Sequence, residues 1–172
     1  MTNLNTAQEA LAQAFSEVEA LFAQVNDTKI NFKPTEKWSF GEEMVHLIMS
    51  TNGTALVLAS PDERLLPSDH ASRGYDAIVD EYKTKLRLNP TIGQSIADKA
   101  GKTYKGEELK ASFTRAAQNT LLALNYWDEA KADQWMVWKH PLLGKMTARE
   151  MVYFTVYHTR HHLATLGVKA SS

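Results

Sequence analysis

Four stretches of this chain repeat apolar residues at intervals of three and four, and that periodicity restricts the fold to packed helices. From Thr6 to Val25, the residues Leu11, Phe15, Val18, Phe22 and Val25 share one helical face, and Thr6 with Glu9 has the spacing of a capping box. Ser39 with Glu42 opens a second helix that should run to about Ala59, where Ser60-Pro61 ends it. The stretch from Glu107 to Trp127 carries Leu109, Phe113, Ala116, Thr120, Leu124 and Trp127 at the same spacing. Thr147 with Glu150 opens a fourth helix through about Leu166, with Gly167 as its stop.

The connections differ in length. Asn26-Asp27 and residues 31–37, which include Pro34, separate the first two helices. Between the second and third lies a long polar stretch from Pro67 to Gly74, a short helix over Tyr75 to Leu86, and breaks at Asn89-Pro90 and from Gly101 to Gly106. Residues 128–146 contain Pro141 and Gly144 and should fold over one end of the helices. No stretch alternates apolar and polar residues with β-branched enrichment, so no sheet is expected. Helices of about 20 residues are about 30 Å long and bury their stripes most readily side by side. The expected architecture is all-α, a four-helix bundle with a long crossover connection, formed as one domain over residues 1–172.

Several classes of function drop out on composition. The chain has no cysteine, so it forms no disulfide or thiolate metal site and offers no cysteine nucleophile; any metal must rest on His, Asp or Glu. Its 19 basic and 20 acidic residues are interspersed, with no basic block to track phosphates, which argues against nucleic-acid binding. No apolar run approaches the roughly 18 residues of a membrane span. The N-terminal MTNLNTAQEALAQ has neither a positive leader nor an unbroken apolar stretch, and we expect a cytoplasmic location.

The chemistry concentrates in the fourth helix, where the sequence reads Tyr157-His158-Thr159-Arg160-His161-His162. Residues four apart lie one turn apart on one face, so His158 and His162 can chelate one ion. Met151, Phe154, His158, His162 and Thr165 fall on a common stripe, which opens with apolar residues and is read as facing inward. Two readings are open for the pair: metal ligands, or hydrogen-bonded residues of an ordinary core. His46, in the second helix, is the candidate third ligand, although a lone histidine in such a place is more often structural. Its wheel neighbours Glu42, Met49, Ser50, Gly53 and Val57 form a mixed face with room for something to approach.

The block Trp38-Ser39 through His46-Leu47, together with Gly144, Thr147, Glu150 and the His158 to His162 motif, resembles the DinB/YfiT-like superfamily. That resemblance implies a four-helix bundle with a crossover, and a divalent metal held by one histidine of the second helix and two of the fourth. The corresponding positions are His46, His158 and His162. His161 is assigned to the rim, although His158 with His161 at i,i+3 is a sterically possible pair. His70 and His140 fall in loop segments and are read as surface or lid residues.

Three neutral imidazoles would leave a divalent ion its full charge and an open position, as at catalytic sites. Bound water or a bound thiol could then be activated. Imidazole suits several metals, and Zn or Ni is expected. The resemblance favours a transferase using a low-molecular-weight thiol such as bacillithiol or mycothiol; without cysteine, the thiol must come as cosubstrate. A metal-dependent hydrolase and a non-catalytic bundle stabilised by its ion are the alternatives. Glu42 could fix the tautomer of His46 or simply cap its helix, and Tyr157 and Arg160 could stand at the mouth of the site or serve as packing and surface charge. Trp135, Met136 and Trp138 could wall an apolar pocket or cover the bundle end. The resemblance also implies a homodimer.

Overall fold

Asn3 starts the first helix, three residues earlier than the Thr6 and Glu9 pair suggested: its side chain accepts from Thr6 N at 2.8 Å and α1 spans Leu4–Leu21. The structure, a computed structural model, describes residues 1, 3–34, 37–90, 92 and 103–171, with the backbone alone at 168–171. A short helix, α2 (Asp27–Asn31), follows. The expected box then opens α3 (Phe40–Leu58): Glu42 N donates to Ser39 Oγ and Ser39 N donates to Glu42 Oε2. The short strand β1 (Leu66–Pro67) leads into α4 (Tyr75–Leu88), which falls where the short crossover helix was expected. The break at Gly101 lies outside the described residues.

The third long helix, α5 (Gly106–Leu124), has no cap of its own, and Asp27 on α2 serves instead, accepting from Gly106 N at 2.9 Å. A short helix, α6 (Glu129–Gln134), precedes strands β2 (Trp135–His140) and β3 (Gly144–Thr147). The last helix, α7, covers Ala148–Ser171. Its box forms as expected, with Thr147 N donating to Glu150 Oε2 and Glu150 N to Thr147 Oγ1. The helix continues through Gly167 instead of stopping there. A glycine inside a helix costs only about 1 kcal/mol relative to alanine, too little to end one that is otherwise well formed.

The expectation of no sheet is corrected. Strands β1, β2 and β3 form one antiparallel sheet in that order, with Leu66 opposite Met136 and His140 opposite Gly144. The β2–β3 hairpin turns through Pro141 to Leu143, and Gly144 adopts φ +72°, a left-handed conformation that glycine takes without steric cost. A register irregularity between Met136 and Trp138 breaks the alternation that would have marked β2 as a strand.

The fold is mostly helical. Helix α3 packs against α5 and α7, α1 packs against α7 and α5, and α4 lies against α7. The main core runs through Leu11, Phe15, Leu47, Phe113, Leu124 and Val156, with Phe15 and Phe113 edge to face at 5.7 Å. A second cluster, built on Ile78, Tyr82, Leu142, Met146, Met151 and Phe154, joins α4 and the hairpin to α7. The segment between β1 and α4 is pinned to α7 by Glu150, whose carboxylate is completely buried and accepts from Arg73 N and from the Arg73 guanidinium at 2.7 to 2.9 Å. Among the described residues, no helix is long and apolar enough to cross a membrane.

Candidate metal centre

Because α3 packs on α7, the histidines that are far apart in sequence meet. His46 Nε2 lies 3.2 Å from His158 Nε2, and His162 Nε2 lies 3.1 Å from the same atom. All three side chains are buried, and each offers one nitrogen within 4.8 Å of the other two.

The surrounding hydrogen bonds set the protons on two of these rings. His162 Nδ1 is 2.6 Å from the buried Glu43 carboxylate, which only accepts, so Nδ1 carries a proton, and in the neutral ring Nε2 presents its lone pair. Ser50 donates its hydroxyl hydrogen to Leu47 O, which leaves Ser50 Oγ to accept from His158 Nδ1 at 3.3 Å. His158 Nε2 is therefore a lone pair as well. With both rings neutral, two lone pairs 3.1 Å apart in a buried site repel unless a cation lies between them. Among the described residues, His46 Nδ1 is buried without a hydrogen-bond partner.

Burial, reinforced by His162, holds the His46 pKa down at about 4. Burial first, and then the neighbouring imidazoles, holds His158 well below the usual histidine range. These two rings are kept neutral, the form that ligates. Tetrahedral coordination with metal–nitrogen bonds of about 2.0–2.1 Å places nitrogens about 3.3–3.4 Å apart, close to the separations found here. The three residues fit a divalent ion.

The structure also places the remaining candidates. Glu42 does not reach His46; it caps α3 and pairs with Lys33 Nζ at 2.7 Å. The carboxylate that orients one of the three rings is Glu43, on His162, with Ser50 on the ring of His158. Both share a face with His46, at three residues before it and four after, and that spacing was the available signal. His161 is exposed and stacks on Tyr157 at 6.0 Å, while Arg160 is exposed. His70 is on a loop, as expected, but it bridges Asp69 and Glu150. His140 corrects the surface reading: it ends β2 and is only 8% exposed.

A cavity of ≈ 390 Å³ opens beside the histidines, lined by His46 and His158 and by Met49, Val57, Tyr82, Trp138, His140, Met151 and Phe154. Trp138 walls it, whereas Trp135 packs against the main core.

Together these features define a mostly helical protein able to hold a metal ion between two packed helices. The sequence profile of the DinB superfamily matches residues 10–166, and the chain belongs to that superfamily. No curated protein and no solved structure matches it.

Proposed function

We propose that the chain is a single-domain DinB-type four-helix bundle with a crossover, holding zinc or nickel on His46, His158 and His162 and acting as a transferase with a low-molecular-weight thiol as cosubstrate. The observation that carries this reading is the convergence of three Nε2 atoms, on His46, His158 and His162, beside an apolar cavity that His46 and His158 line, with no carboxylate or fourth histidine in the group among the described residues. A divalent ion there would supply an open position at which a thiol is bound as thiolate. Around that position Glu43 and Ser50 orient two of the rings, and Met49, Met151 and Phe154 exclude water.

The lack of cysteine in the chain is consistent with a thiol brought from outside. A closed, purely structural ion site would need a further protein ligand, and none joins the group among the described residues. A hydrolase would need a base beside the metal, and the nearby Glu43 carboxylate is engaged with His162 Nδ1. We propose further that the protein works as a homodimer in the cytoplasm.

Metal content of untagged protein, compared with His158→Ala and followed by cobalt substitution and titration with small thiols, tests the reading. About one divalent ion per chain, lost in the variant, with visible absorption bands that shift on thiol addition, is the expected result. Wild-type protein without metal overturns the site, and bound cobalt that no thiol perturbs overturns the transferase.

A further inference from the structure

We infer that the cavity beside the three histidines binds an uncharged, largely apolar small molecule through a carbonyl-type acceptor, and that His140 is the residue that donates a hydrogen bond to it. The hairpin fixes the His140 tautomer. Its Nδ1 accepts from Leu142 N at 3.0 Å and from Leu143 N at 3.1 Å, so the ring proton can only be on Nε2. Two backbone donors aimed at Nδ1 oppose a second proton, which makes the ring a permanent neutral donor. Burial acts the same way and keeps the pKa of His140 down at about 4. Phe154 at 4.5 Å and Trp138 at 5.2 Å hold the ring edge to face.

With this ring more than nine-tenths buried, Nε2–H has no hydrogen-bond partner among the described residues, and the ring lines the cavity. Open to the cavity and unpaired by the protein, this donor is free for water or for the acceptor of a ligand that displaces it. The hydroxyls of Ser50 and Thr54 on the opposite wall already donate to the carbonyls of Leu47 and Ser50.

The rest of the wall sets the ligand's character. No Lys, Arg, Asp or Glu lines the cavity among the described residues, so a charged ligand would lose its hydration without a countercharge. The volume falls within the range of about 300–1,000 Å³ usual for small-molecule sites. A neutral imidazole can polarise a carbonyl without surrendering its proton, as a fixed dipole aimed at developing negative charge. Only the further statement that this molecule is the electrophile of the transfer rests on the transferase reading; the binding itself needs no metal.

Acetophenone and α-methylstyrene test this, since they share a shape and differ in a carbonyl against a methylene. The full chain, as purified and again after metal removal by chelation, is titrated with each while tryptophan fluorescence is followed. The expected result is acetophenone bound about threefold to tenfold more tightly in both preparations, the range of one neutral hydrogen bond. In His140→Asn, whose amide oxygen can still accept from Leu142 N, that preference should vanish.

In wild-type protein labelled with ¹⁵N-histidine, the His140 Nε2–H resonance should move with acetophenone and not with α-methylstyrene, a readout that does not depend on any variant folding. Equal affinities, binding of neither probe, a preference that Tyr82→Phe removes and His140→Asn keeps, or a proton found on Nδ1 each overturns the proposal. Because the preference is read without metal, it survives even if His158→Ala shows that the histidines hold no ion.

Discussion

At the scale of single residues, the site depends on which carboxylate faces which ring. Glu42 and Glu43 are adjacent and both buried, yet a step of about 100° between them sends one to the helix cap and the other to His162. Removing Glu43 frees the His162 ring to rotate and to change tautomer, and such outer partners typically carry 10- to 100-fold in metal affinity. Glu43→Ala should weaken zinc binding by about that factor in a competition titration. Glu42→Ala should cost about 1 kcal/mol of stability as a lost cap and leave zinc affinity within about threefold. Equal weakening by both would mean that the carboxylates act through the helix and not through the ring. The pairing of His158 with His162 was legible in their i,i+4 spacing, but that spacing left a core role open, and His46 joined them only through the family resemblance. The orientation of its rings was not, since the choice between Glu42 and Glu43 depends on how α3 is rotated against α7.

At the scale of elements, the capping boxes at Ser39 and Thr147 and the apolar stripes placed the long helices, because these signals are local and act over three or four residues. The sheet was not legible. Strand β2 pairs with Leu66–Pro67 across a long stretch of chain, and the register shift between Met136 and Trp138 breaks the alternation that would have marked its two faces. Burial of His140 follows from that sheet and was missed with it.

The segment between β1 and α4 is held to α7 by Arg73 and Glu150, and this link makes a pH-dependent prediction. Burial raises the Glu150 pKa, but hydrogen bonds from the Arg73 guanidinium and from Arg73 N and Thr147 N outweigh it, leaving the pKa below its ordinary value. A depressed carboxylate pKa contributes stability that is full above the unfolded value of about 4.3 and is lost as pH falls through the folded one. Arg73→Ala strands a buried charge and should cost about 3–5 kcal/mol at neutral pH. By urea denaturation the difference from wild type should narrow below about pH 4 as Glu150 takes up a proton. A gap of constant size at both pH values would show that Arg73 acts by packing alone.

At the scale of the whole molecule, the distribution of exposed apolar surface bears on assembly. Leu56 on α3 is 74% exposed, and Leu122 on α5 and Tyr126 just beyond it are 63% and 75% exposed. These three side chains border one groove, floored by Ala55, Ala59 and Ala123, where α3 and α5 lie together. In the proposed homodimer, large apolar residues at the rim of one copy would enter the groove of a second across a two-fold axis. Helix α3 presents His46 from the same rod, and Leu56 lines both this groove and the cavity beside the histidines, so assembly through this face would complete one wall of that cavity. Leu122→Glu places a charge at the centre of the face and, being exposed in a single copy, should change the stability of that copy by no more than about 0.5 kcal/mol. Sedimentation velocity at micromolar concentration should show a dimer for wild type and a monomer for the variant, with the helical signal unchanged. A wild-type monomer at that concentration would mean that the groove is solvated in solution and that each copy carries a complete cavity of its own.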